Sequence, residues 1–436
     1  MRELYLFNND LRLADNPGLL AHAQAEELLC VYCWPGMPPW CNLTGIGAQR
    51  ERFLRECLAE LDQDLRALGQ RLLLLETDPR TAIPQLVELF GIYRAGTSVS
   101  AGYYEHQQQQ TLAKQLPIEF LVHPGNTLFS ESQLVAPLES LPKQFTPFRK
   151  QVENLAVPTP RHAPEQLPPP PAGVSFPRLA PTTARPHPSF PVRGGSREGK
   201  RRLQHWMFER QLICNYKETR NNIDGLDGCS VLSPWLATGA LSAREVANQL
   251  FEFEQTILKN DSTEWLYQEL LWREFFHWRA HIDGQLLFQA GGILGEKKHL
   301  RTFEARDFAR WCQGQTDVPL VNAFMHQLVS SGWMSNRGRQ IVASYLVNEL
   351  NHDWRYGAAF FEKHLIDYDV SSNYGNWQYI AGVGTDPRGG RHFNTAKQTA
   401  LYDPEGLFCR KWDGYQPTQP RHITDAADWP IPPRER

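Results

Sequence analysis

Residues 158–191 hold twelve prolines in 34 positions, with Pro168 to Pro171 in a row. Proline has no backbone N–H and a fixed φ, so this stretch can be neither a helix nor a central strand. It reads as an extended connection. The sequence fits a segment packed along a surface as well as it fits a mobile one. The prolines divide a 436-residue chain into two parts, each long enough to bury a core without disulfides.

Before the prolines, short apolar runs alternate with helical periods. Residues 3–7 and 28–34 read as buried strands. Residues 49–68 place Phe53, Leu54, Leu58, Leu61, Leu65 and Leu68 at helical spacing, and Gly69 ends the run. Residues 71–75 read as a strand, 82–90 as a helix and 93–98 as a further strand. This alternation predicts an α/β domain with a parallel, Rossmann-like sheet over residues 1–130. No GxGxxG follows the first strand, so the dinucleotide fingerprint is absent. Residues 131–196 form the connection, and the pattern from 197 to 436 is helical, which predicts an all-α C-terminal domain.

The net charge of −3 gives no global argument for a nucleic-acid partner, although a local basic patch suffices to hold phosphates. No run approaches about 18 apolar residues, and the N-terminus turns polar at Asn8, too soon for a signal peptide. No membrane partner and a cytoplasmic location are expected. Cys30 and Cys33 form a C-x-x-C with no second ligand pair, so buried thiols and no metal are expected. Ten of the 13 tryptophans fall between Trp206 and Trp412. That density suits an aromatic core, and it also suits a large planar ligand.

Four segments could carry chemistry. On a helix over 264–281, Trp265, Glu269, Trp272 and Phe276 share one face, and Arg273 lies one turn beyond Glu269. A carboxylate among aromatics needs a partner, so a structural Arg–Glu pair would use the same spacing. Asn336 and Gln340 are i,i+4, and two amides on one face suit a nucleobase or flavin edge, or a solvated surface. Asp367, Asp369 and Asn373 could form an oxygen-rich cation site, but the EF-hand order is missing. Residues 193–220 hold eight Lys and Arg against three Glu, and Arg388, Arg391 and Lys397 form a second group. Such runs are solvated faces or phosphate contacts.

Together these segments resemble the photolyase/cryptochrome family, and most closely its cryptochrome-DASH branch. The resemblance runs from about residue 4 to 412. It rests on Leu4-Tyr5-Leu6-Phe7-Asn8-Asn9-Asp10-Leu11-Arg12, Phe145-Thr146-Pro147-Phe148-Arg149-Lys150 and Tyr216-Lys217-Glu218-Thr219-Arg220-Asn221. Met334-Ser335-Asn336-Arg337-Gly338-Arg339-Gln340 and Ser372-Asn373-Tyr374-Gly375-Asn376-Trp377 complete it. An Arg is more usual in the family where Asn8 stands.

The resemblance implies a bent FAD in the helical domain. Tyr216 and the loop Cys229, Ser230, Val231, Leu232 and Ser233 should hold its phosphates. Trp265, Gln268, Glu269, Arg273, Asn336, Arg337, Asp367, Asp369 and Asn373 should line the rest, with Asp367 beside Arg337 or Arg339. Cys229 stands where Ser or Thr is usual, and a thiol is the weaker donor. The implied chemistry is light-driven repair of a cyclobutane pyrimidine dimer flipped from DNA. Glu269, Trp272, Asn336, Gln340 and Tyr379 would form the lesion site. Gln340 and Tyr379 stand where duplex-competent enzymes carry Met and Trp, which implies a preference for single-stranded DNA, with duplex DNA or RNA bound weakly. Trp377 and Trp354 match the inner members of an electron relay, and Arg301 occupies the outer position. Trp278, Trp333 or a tyrosine could substitute. A 5,10-methenyltetrahydrofolate antenna would contact Glu105, and a monomer is expected. The alternatives are a blue-light photoreceptor without repair and an electron-transfer flavoprotein with no light role.

Overall fold

A computed structural model describes residues 1–36, 39–41, 43–177, 180, 182–295, 303–386 and 388–415. Strands β1 (Arg2–Phe7), β2 (Glu27–Cys33), β3 (Leu72–Leu75), β4 (Arg94–Ser98) and β5 (Glu119–His123) form one parallel sheet in the order β3-β2-β1-β4-β5. Side chains alternate across it. Leu4 and Leu6 of β1 pack with Leu29, Val31, Ile83 and Leu112 on one face. Tyr5 and Phe7 join Leu28, Leu58 and Leu65 on the other. That second cluster continues into Phe129, Trp206, Leu270 and Phe275, so the sheet and the helical half share a core.

The first four strands follow the sequence pattern to within a residue. β5 is an addition: Glu119-Phe120-Leu121-Val122-His123 is an edge strand with no fully buried residue, so it carries no alternation to read. The Tyr103–Gln115 helix is likewise polar almost all round and buries only Gln109 and Leu112.

Among its described residues, the proline-rich stretch has no helix and no ladder strand. It lies packed against both halves. Leu167 N donates to Leu68 O at 3.1 Å, and Leu28 N to Pro169 O at 3.0 Å. Phe190 stacks on Trp333 with centroids 4.8 Å apart. Earlier in the connection, Phe145–Val152 is a helix whose Phe148 meets Phe275 of the long helix at 5.3 Å.

The long helix is Asp261–Asp283. The Asn260 side chain caps it, accepting from Ser262 N and Thr263 N. Glu274 on this helix is fully buried. It accepts from Leu128 N at 2.8 Å, Phe129 N at 3.2 Å and Trp278 Nε1 at 2.8 Å, tying the helix to the chain that leaves the sheet. Two helices follow, Pro319–Ser331 and Asn336–Ser344, separated by Gly332 at φ 76°. They belong to a second core around Trp311, Phe324, Leu346, Tyr374 and Trp377.

Candidate active site

A cavity of about 460 Å³ opens in the helical half, a size ordinary for a small-molecule site at roughly 300–1,000 Å³. Five segments supply most of its wall. Glu269, Trp272, Arg273 and Phe276 face it from the long helix. Asn336, Arg339, Gln340 and Ala343 face it at i, i+3, i+4 and i+7 of the Asn336–Ser344 helix. Asp367 and Asp369 precede the Val370–Ala381 helix, which adds Asn373, Trp377 and Tyr379. Tyr216 and the 229–233 loop close the far side.

The loop is held open by its backbone. Val231 sits at φ 54°, a conformation a β-branched residue rarely adopts unless its surroundings impose it. Arg202 clamps the turn from behind, donating to Ser230 O and Cys229 O at 2.9 Å each. Burial pushes the Cys229 thiol up to about 11, so it adds no negative charge where an anion would lie.

Asp367 is nearly buried, its side chain 2% exposed. Its Oδ2 accepts from Arg339 Nη2 at 2.7 Å and from Ser233 Oγ at 2.6 Å. Its Oδ1 and Gln340 Oε1 are buried with no hydrogen-bond partner. Buried polar atoms are rarely left so, and both residues line the cavity, so a polar ligand accounts for them. Asn373 is fixed by donating Nδ2 to Ala358 O at 3.0 Å. Asp369 accepts from Ser372 N at 2.8 Å and meets His277 Nε2 at 3.0 Å. Burial pushes the Asp369 carboxyl up, but His277, Arg273 and the Ser372 side chain win and hold it well below the carboxylate range.

Across the cavity, Glu269 Oε1 accepts from Trp265 Nε1 and from Arg220 Nη1, both at 3.0 Å. Burial raises the Glu269 carboxyl above its ordinary value, while Arg220 and Trp265 oppose the rise. Trp272 stacks on Phe145 at 3.7 Å and meets Tyr379 edge-on at 6.4 Å. The Tyr379 hydroxyl accepts from Arg391, which Asp386 holds at 2.6 Å.

Three residues expected at the cofactor do not reach the wall. Trp265 stands one turn behind Glu269 under the Arg220 guanidinium, 4.3 Å from its ring. Gln268 projects a residue's rotation away, toward Arg149 at 3.5 Å. Arg337 turns outward to Asn221 at 3.2 Å and to the rings of Phe393 and Tyr402, which leaves Arg339 as the partner of Asp367. Of the relay residues, Trp377 lines the cavity, and its ring lies over Gly357 of the Trp354–His364 helix. Trp354 is buried. Arg301 lies outside the described residues. Glu105 is exposed on the first turn of its helix, curled against Gly102 beside Val370. The sequence pattern missed Arg220, Arg202 and Phe145. The first two sit in the basic run but turn inward, and only their tertiary partners reveal it.

Among the described residues no cluster of His, Cys, Asp or Glu could hold a metal ion, and Asp367 and Asp369 instead pair with Arg339 and His277. No described helix is long and apolar enough to cross a membrane.

Residues 3–171 match the family described as DNA photolyase, and residues 265–422 match the FAD binding domain of DNA photolyase. A cryptochrome DASH from Vibrio parahaemolyticus is 43% identical over 98% of this chain and 97% of its own. The crystal structure of a Synechocystis cryptochrome superposes with a TM-score of 0.88 at 37% identity, covering 94% of this chain and 88% of that one. A class III photolyase from Agrobacterium tumefaciens superposes at 0.79 with 25% identity, covering 94% and 86%.

Proposed function

The chain belongs to the photolyase/cryptochrome family and carries its FAD-binding domain, and from that premise we propose that it repairs cyclobutane pyrimidine dimers by light, preferentially in single-stranded DNA. The observation that carries this reading is that one cavity holds two sets of groups. Asp367, Arg339, Asn373 and the 229–233 loop form a polar end suited to FAD, and Glu269, Trp272, Gln340 and Tyr379 form an aromatic and amide end suited to paired bases.

The chemistry that FAD would supply here, when bound, reduced and photo-excited, is reversible one-electron donation to the cyclobutane ring. The protein binds, orients and excludes water. The unpartnered Asp367 Oδ1 would accept a hydrogen bond from the flavin, and Asn373 lines the same cavity. Ser230 and the loop N–H groups would receive the phosphates, the Ser233 hydroxyl proton being already given to Asp367. Glu269, fixed by Trp265 and Arg220, accepts from the N–H of a flipped pyrimidine. The Trp272 ring, backed by Phe145 on one face, stacks on the bases with the other.

Strand preference follows from the same wall. Flipping a dimer out of a duplex costs a few kcal/mol more than taking it from a single strand. Gln340 supplies an amide, and Tyr379, tethered to Arg391, supplies less apolar area than a tryptophan would. A folate antenna, 5,10-methenyltetrahydrofolate, would sit where Glu105 meets the helical half. We further propose that it acts as a monomer and binds duplex DNA or RNA weakly.

The test uses the purified, reduced protein and a single-stranded oligonucleotide holding one thymine dimer. Light-dependent return of intact thymines supports the reading, and the dark control stays unrepaired. If FAD is bound and reduced and no thymine returns, the photoreceptor reading takes the lead. That second reading draws on the relatives being named cryptochromes and on Phe145 already covering one face of Trp272.

A further inference from the structure

The resemblance puts Arg301 where the relay that would reduce the flavin usually has its outer tryptophan, and the structure places a different group beside the Trp354 end. The ring of Tyr374 lies 6.2 Å from that of Trp354. Tyr374 is fully buried. A buried phenol needs a partner, and this one donates to Glu362 Oε2 at 2.8 Å. Burial, with the Glu362 charge beside it, pushes the phenol well above its ordinary value, so it stays protonated at rest. Glu362 and Trp354 lie on the same helix, and Tyr374 faces both from the Val370–Ala381 helix. Beyond Tyr374 the aromatic contacts continue to Phe288 at 4.6 Å and then to Tyr104 at 5.0 Å, a ring 59% exposed.

We propose that Tyr374 is the terminal electron donor of this chain's relay, giving its electron to oxidised Trp354 and its proton to Glu362. The inference rests on the reading of Trp377 and Trp354 as relay residues. The oxidant is a photo-excited, oxidised flavin, which draws one electron through Trp377 and leaves Trp354 as a radical cation. Tyr374 then loses one electron to Trp354. Its O–H bond breaks, and the proton moves along the hydrogen bond to the Glu362 carboxylate. The products are neutral Trp354, a neutral tyrosyl radical and protonated Glu362. An added thiolate later returns the electron, and Glu362 returns the proton.

A hydrogen-bonded base is what a tyrosine needs for this task. Without one, oxidation would leave a strongly acidic cation in a buried site, which is costly to hold. Phe288 and Tyr104 give the added thiol a path of rings to the surface. A competing path leaves Trp377 through Trp311 at 6.3 Å and Phe308 at 6.0 Å to Tyr356 at 5.5 Å.

The experiment is electron paramagnetic resonance of the full FAD-loaded protein after a light pulse, with ring-deuterated tyrosine to identify the radical. Wild type is expected to show a tyrosyl signal. Tyr374→Phe is expected to lose it and keep a tryptophan radical, while Tyr356→Phe keeps the tyrosyl signal. Glu362→Gln preserves an acceptor oxygen but offers no base, and should slow tyrosyl formation by about a hundredfold. A tyrosyl signal that survives Tyr374→Phe overturns the proposal, as does a wild-type radical confined to tryptophan or an unchanged rate in Glu362→Gln. Dimer repair by chemically reduced wild-type protein bypasses the relay, so it reports on the repair reading separately.

Discussion

Arg339→Ala removes one partner of the pair that organises the polar end of the cavity. Asp367 would keep only the Ser233 hydroxyl at 2.6 Å, with its side chain 2% exposed. Breaking a buried ion pair from one side costs about 3–5 kcal/mol. Arg339 is itself 27% exposed, so the lower end applies, and a loss of about 3 kcal/mol is expected. Asp367→Asn removes the charge instead and keeps an acceptor for Ser233, so it should cost only about 1 kcal/mol. The double variant should then be more stable than the sum of the singles predicts, by about 1–2 kcal/mol. Urea unfolding of the four proteins without added FAD measures the cycle. FAD binding adds a second readout, since losing a charge-assisted hydrogen bond at Asp367 should weaken affinity by about 10- to 100-fold. Simple additivity, or an Arg339→Ala protein as stable as wild type, would refute the coupling.

Gln340→Met with Tyr379→Trp makes the lesion end more apolar and should raise duplex repair relative to single-strand repair by about tenfold, a gain of about 1.4 kcal/mol in binding. The ratio of repair rates on the two substrates measures it. Because Asp369 is held below the carboxylate range, it contributes stability that is fully present above about pH 4 and is lost as pH falls through the held-down value. Asp369→Asn should flatten the acid limb of the unfolding curve, and an unchanged limb would contradict the assignment. Glu274→Ala strands Leu128 N, Phe129 N and Trp278 Nε1 in the core, and should lower stability by about 3 kcal/mol or more. Chemical denaturation reads this directly.

Much of the fold was legible where burial enforces a period. β1 and β2 carry continuous apolar runs because both faces of the sheet are covered, and the 49–68 run shows its helix by spacing alone. β5 and the Tyr103–Gln115 helix were not legible, because neither buries a full face. The prolines excluded regular structure but could not reveal the order imposed by Phe190 on Trp333.

The site divides in the same way. Helical spacing brought Glu269, Trp272 and Arg273 to one wall, and Asn336 with Gln340 to another. It could not choose between Arg337 and Arg339, two residues apart on one helix, because the choice depends on where Asp367 arrives from a distant segment. Arg220 and Phe145 act across long separations in the chain, and no local pattern distinguishes them from surface cations or core rings.

Repair by this protein requires flavin and lesion to share one cavity. The most direct test is the excited-state lifetime of reduced FAD in the protein, measured with single-stranded oligonucleotides that do or do not contain a thymine dimer. Electron transfer to a dimer held against the flavin must shorten that lifetime, and the undamaged strand must leave it unchanged. A dimer-containing strand that binds without altering the lifetime would show that the lesion does not enter the cavity.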